Sequence, residues 1–166
     1  MSRSDIRIIG IDPGSRITGY GIISKKGSHI GFITCGTIRT DSATAFNKRL
    51  LEIHEGLAEV IIKYRPDTAS VEDMFVSRNP SSALKLGHAR GVAVLTALQA
   101  GLSVNDYPAR FIKQMVTGYG NADKEQIRNM VRKILELSAV PSSDAADGLA
   151  AAICHAYQMG LPFSRS

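Results

Sequence analysis

The stretch IIGIDPGSRITGYGIIS, residues 8–24, sets two apolar strand-like segments on either side of a turn. Pro13 and Gly14 are turn formers, so residues 6–12 and 17–24 are expected to pair as antiparallel neighbours. A second turn at SKKGSH and a third apolar segment over 30–38 complete a three-stranded meander. Thereafter helical and strand-like segments alternate. Phe46, Leu50, Ile53, Leu57, Val60, Ile61 and Tyr64 keep helical spacing and predict a helix over about 43–64, stopping before Pro66. TASVEDMF reads as a fourth strand, and a helix over about 81–100 follows, closed by Gly101. Residues 102–107 form a short fifth strand, with helices over about 108–117 and 124–137 and a last one from Ser142 or Ser143 to about Met159. Asp123 and Gln126 carry the signature of a capping box. This order predicts an α/β fold with a five-stranded mixed sheet, three strands in the meander and two parallel, flanked by helices.

At 166 residues and 44% hydrophobic, the chain suits one domain spanning 1–166 with a real core. Cys35 and Cys154 are too few for a disulfide framework. No apolar run approaches the ~20 residues of a membrane span, and the N-terminal apolar stretch is short for a signal peptide. A cytoplasmic protein with no membrane partner is expected. The net charge of +5 and pI near 9.4 fit an anionic partner such as nucleic acid, without requiring one.

Asp12 follows directly on Ile11, at the end of a strand that is otherwise apolar. An isolated buried carboxylate costs several kcal/mol or more unless compensated. Ligand sites in open α/β sheets lie beyond strand ends where strand order reverses, and strands 1 and 4 would be neighbours at that point. Glu72 stands near the end of strand 4, and Asp73 points to the opposite face. The competing accounts are a turn carboxylate beside Pro13 and Gly14 for Asp12 and a solvated edge acid for Glu72. The last helix, SSDAADGLAAAICHAYQ, adds Asp144 and Asp147 on one face. Asp144 alone could serve the helix dipole, but Asp147 lies a turn deeper among alanines that suit close packing on the sheet.

Four gathered carboxylates repel one another unless a cation sits among them. Oxygen ligands with no His/Cys cluster point to Mg²⁺ or Mn²⁺ rather than zinc. His155 is eight residues past Asp147, ~12 Å along a helix and too far to share an ion. His29, His54 and His88 show no ligand spacing. Two hard metal ions suit hydrolysis of a phosphodiester.

GIDPGSRITGYG, VEDMF, NPSSALKLGHARG, FIKQMVTGYGNADK and DAADGLAAAICHA together resemble the RuvC family of bacterial Holliday junction resolvases, over about residues 7–158. The resemblance implies an RNase H-like fold, a homodimer, Mg²⁺, with two ions per site in the sense of the two-metal scheme above, and paired symmetrical nicks in four-way junction DNA. It implies Asp12, Glu72, Asp144 and Asp147 as catalytic metal ligands, with His standing in place of Asp144 in some members. It further implies catalytic roles for Lys113 and Lys124. The implied DNA-contacting set is Phe75, Arg78, Lys85, Lys113 and Lys124, with Phe75 meeting unpaired bases at the crossover. A link to the RuvA–RuvB branch-migration complex is implied in the same way. From the residues alone, the two lysines are equally well solvated surface cations and Phe75 a core residue.

DPGSRITGYG also resembles the phosphate loop of actin-like kinases and ATPases, but those need a second lobe with a second such loop. No G-x-G-x-x-G opens a helix, which excludes a Rossmann reading. A non-catalytic junction-binding protein would be expected to lack at least one of the four acids. Ala83, Gly87 and Gly91 recur every four residues on the helix from Ser81 and suit either packing within the chain or a dimer contact.

Overall fold

The computed structural model describes residues 5–73 and 78–160. The elements are β1 (Ile6–Asp12), β2 (Ile17–Lys26), β3 (His29–Arg39), α1 (Phe46–Tyr64), β4 (Thr68–Asp73), α2 (Pro80–Gln99), β5 (Ser103–Pro108), α3 (Ala109–Thr117), α4 (Lys124–Ile134) and α5 (Ser143–Gln158). They build a five-stranded sheet of order β3-β2-β1-β4-β5. β1–β2 and β2–β3 are antiparallel, and β1–β4 and β4–β5 are parallel. The meander, the two parallel additions and the β1–β4 adjacency agree with the sequence reading.

Strand alternation divides the core in two. Ile9, Ile11, Ile22, Ala69 and Val71 face α1 and α2, packing on Ile53, Leu57, Ala89 and Ala93. Ile8 and Ile23 face the other way, toward Leu149 and Ile153 of α5 and the buried stripes of α3 and α4. Each fully buried Ile or Leu contributes about 1.5–3 kcal/mol, so both layers hold the sheet.

α5 is buried on nearly every side. Glycines let its backbone meet the sheet's backbone. A Cβ on Gly10 would stand 2.0 Å from the Gly148 carbonyl oxygen, and one on Gly148 would stand 2.6 Å from the main chain of Tyr20. No side chain fits at either position, so the alanine-rich helix lies unusually close to β1 and β2.

Two helix ends differ from the sequence reading. α1 begins at Phe46 rather than near 43, because the Ala43 N–H donates to Asp41 Oδ1 at 2.9 Å and holds a turn ahead of the helix. α4 ends at Ile134 rather than 137, because Glu136 turns left-handed (φ 53°) and the Leu137 N–H bonds back to the Arg132 carbonyl at 2.9 Å. Both cysteines are free. No described helix is long and apolar enough to cross a membrane.

Candidate active site

Ile11 of β1 pairs with Val71 of β4, so Asp12 and Glu72 stand one step further along two adjacent parallel strands. Their side chains come out side by side at the sheet's C-terminal rim. The turn after Asp12 is held without its help: the Gly14 N–H donates to Thr18 Oγ1 (3.3 Å), and Thr18 Oγ1 donates to the Gly14 carbonyl (3.0 Å). Arg49 of α1 clamps the same turn, donating to the Ser15 carbonyl at 2.6 Å.

α5 brings the remaining acids. Asp12 is paired across the sheet with Gly19, and a Cβ on Gly19 would stand 1.9 Å from the Asp144 carbonyl oxygen. The helix N-terminus therefore starts against the strand position beside Asp12. Asp147 follows one turn on and lines a cleft of about 240 Å³ with Asp12, Glu72, Lys113 and Lys124, floored by Ile112, Ile127 and Ala150. α3 supplies Lys113 and α4 supplies Lys124.

Lys124 is the first residue of α4, fixed by the expected capping box: Asp123 Oδ1 accepts from the Gln126 N–H, and Gln126 Oε1 accepts from the Asp123 N–H, each at 2.8 Å. A cation at a helix N-terminus opposes the helix dipole. Here the facing carboxylates offset that cost.

The acids carry the electrostatic signature of a crowded anionic site. Burial, followed by Glu72, Asp147 and Asp144, pushes the Asp12 carboxyl up to about 8 against the pull of Lys124. Burial and Asp147 push Glu72 up to about 7, opposed by Lys113, a hydrogen bond with Asp12 and Lys124. Asp147 is raised by burial and Asp144, with both lysines acting against the rise. Two lysines do not neutralise the cluster, and the donors are all carboxylate oxygens, a set that suits hard divalent cations. Among the described residues, no three His, Cys, Asp or Glu side chains are drawn together tightly enough to grip an ion, so the carboxylates ring the cleft rather than close on a point.

The other expected residues fall elsewhere. Phe75 lies outside the described residues. Arg78 is exposed just before α2. The Lys85 amino group sits 5.9 Å from the Phe46 ring, on the α1 side and not among the cleft residues. Asp73 points away from the site and pairs with Arg90 at 3.5 Å. His155 is buried between Tyr107 and Asn105, apart from the acids. Sequence reasoning missed the contacts of Gly10, Gly19 and Gly148; Gly10 and Gly19 inside buried strands and Gly148 inside a buried helix were the available signal.

A mixed sheet of this order, with acids at the ends of its first and fourth strands and on its last helix, defines an RNase H-like nuclease fold. T. thermophilus RuvC, solved in complex with a Holliday junction substrate, superposes with a TM-score of 0.87 at 34% identity, covering 93% of this chain and 95% of that one. The yeast mitochondrial Holliday junction resolvase shares the fold at a TM-score of 0.64 and 10% identity, covering 96% of this chain and 83% of its own. The sequence model of crossover junction endodeoxyribonuclease RuvC matches residues 8–155. RuvC of Geobacter metallireducens is 51% identical over 94% of this chain and 95% of its own, and RuvC of Acinetobacter baylyi is 54% identical over 92% and 84%. The chain belongs to the RuvC family of crossover junction endodeoxyribonucleases.

Proposed function

We propose that this protein is a Mg²⁺-dependent endonuclease that resolves four-way DNA junctions, with Asp12, Glu72, Asp144 and Asp147 as metal ligands and Lys113 and Lys124 as catalytic cations. The observation that carries this reading is the convergence of acids from β1, β4 and α5 on one cleft that also receives both lysines. The oxygen-only donor set fits two Mg²⁺ ions, and Mn²⁺ in their place. When bound, the ions supply Lewis acidity for phosphodiester hydrolysis.

The protein's own groups do the rest. Asp12 and Glu72 give up the protons their burial favours when they take on cations. Lys124, at the cleft rim, meets the scissile phosphate and stabilises the charge that develops on it. Lys113, half-buried, does the same from α3 and restrains Glu72 and Asp147. Arg78 and Phe75, on the segment leading from β4 to α2, are assigned to DNA at the crossover on the family resemblance.

Paired nicks call for two such sites related by a twofold axis. α1 and α2 lie side by side through the 2.8 Å hydrogen bond of His54 to Thr96 and the edge contact of Phe46 with His88. Leu51 and Ile62 of α1 and Leu84, Leu95 and Leu98 of α2 are exposed, and Gly91 faces open space. An apolar surface of this kind suits a second copy of the chain. Of the two accounts of the small-residue stripe, Gly91 supports the dimer contact. The family assignment extends to a cytoplasmic setting and to hand-over from the RuvA–RuvB complex.

Cleavage of mobile and immobile four-way junctions, compared with linear duplex under Mg²⁺, tests the reading. Paired nicks confined to junctions support it, and equal cutting of linear duplex contradicts it.

A further inference from the structure

Behind the acids, on the same face of the sheet, runs a chain of polar groups that the chemistry above leaves unused. The hydroxyls of Thr68 on β4 and Ser103 on β5 meet at 2.8 Å. Asn105 Nδ2 donates to Thr68 Oγ1 and to the Ala69 carbonyl, both at 3.2 Å, and lies 3.3 Å from His155 Nε2. His155 Nδ1 lies 2.7 Å from the Tyr107 hydroxyl. Ser70 Oγ donates to the Ala151 carbonyl at 2.7 Å.

These contacts fix the orientation of the Asn105 amide. Turning the Asn105 amide would set its oxygen against the Ala69 carbonyl, so Nδ2 faces His155. Burial lowers the imidazole's pKa, in keeping with a neutral ring.

The chain joins the elements that carry the site. Tyr107 is the register partner of Glu72. Its ring stacks on Phe111 of α3 at 5.8 Å and 13°, two residues before Lys113. His155 is on α5, eight residues and ~12 Å from Asp147 along a rigid helix. The glycines fix how closely α5 approaches β1 and β2, but Glu72 is on β4. Apolar contact is non-directional and resists sliding poorly compared with hydrogen bonds of set length and angle. Ser70 and His155 provide such bonds between α5 and the β4–β5 half of the sheet.

We propose that His155, held by Tyr107 and Asn105, is a positioning residue that fixes the register of α5 against β4 and β5 and so the spacing of Asp147 from Glu72 and Lys113. The proposal rests on the reading of these acids as metal ligands.

Tyr107→Phe and His155→Phe remove the hydrogen bond while keeping a ring in place. Mg²⁺ binding to the DNA-free protein is measured by calorimetry, with junction affinity in EDTA and melting temperature alongside, and Asp147→Asn as the reference. Each Phe variant is expected to weaken Mg²⁺ binding about tenfold, the lower end for groups that support metal ligands, with junction affinity unchanged. The double variant should be no worse than the poorer single one, because both delete the same bond. Lower melting temperatures with wild-type Mg²⁺ affinity in both variants would make the chain merely structural and overturn the proposal, provided Asp147→Asn loses the ion. Wild-type Mg²⁺ binding by Asp147→Asn would overturn the metal reading and the positioning role together.

Discussion

The Asp144 carbonyl oxygen lies 1.9 Å from the point a Cβ on Gly19 would occupy. The obstacle is main chain, not the end of a flexible side chain, so Gly19→Ala has to push the start of α5 off the sheet. Overpacking of this kind costs about 1–3 kcal/mol. Because the displaced turn carries Asp144, junction cleavage should fall sharply even at temperatures where the variant is fully folded. Gly160→Ala, whose added Cβ would meet nothing nearer than the Tyr157 carbonyl at 3.6 Å, serves as the comparison and should melt no lower than the parent. Melting curves with single-turnover cleavage at a permissive temperature check both.

Asp12 and Glu72 link stability to pH. Their carboxyls rise in the folded protein from ordinary values of 3.8 and 4.5 to about 8 and about 7. A raised folded pKa means the contribution to stability is full below the unfolded value and lost as pH climbs through the folded one. In EDTA the melting temperature is therefore expected to fall as pH rises through 7 and 8. Mg²⁺ takes the protons' place, so the gain in melting temperature on adding Mg²⁺ should grow over the same range. A flat profile in EDTA, or a larger Mg²⁺ effect at the acid end, would count against the cluster.

Lys124 distinguishes transition-state stabilisation from generic phosphate contact. If it stabilises developing charge, Lys124→Ala lowers the single-turnover rate at saturating enzyme by ~10²–10³ while binding holds. A variant that binds more weakly, with a shallower salt dependence and an unchanged rate, would reassign Lys124 to backbone contact.

Leu95 and Leu98 probe assembly. If two copies pair through this face, as proposed, the parent should sediment as a dimer and Leu95→Glu, exposed on α2, should fold normally and sediment as a monomer at the same concentration. Such a monomer should nick junctions singly. An unchanged dimer would move the interface off this face.

Much of the site was legible because each acid sits on a strongly patterned element. Asp12 and Glu72 end runs of apolar strand, and the parallel β1–β4 pairing predicted from element order makes them neighbours. The alanines around Asp147 announced close packing. What stayed hidden depends on partners distant in sequence. Gly19 shows that something comes close, but not that it is the Asp144 carbonyl. His155 read as a residue too far away for the metal, and its bond to Tyr107, 48 residues away, is created by the crossover between β5 and α5. Lys85 sits in one of the segments that carry the family resemblance, and the Phe46 ring draws its side chain toward α1.

The central claim is that this carboxylate cluster binds the metal that cuts junctions, and Asp147→Asn addresses it most directly. The substitution keeps the side chain's shape and removes one charge from the cleft. Junction binding without metal should be equal to the parent's or tighter, since repulsion toward phosphate falls, and paired nicking in Mg²⁺ should disappear. Near-parental nicking by Asp147→Asn in Mg²⁺ would contradict the account.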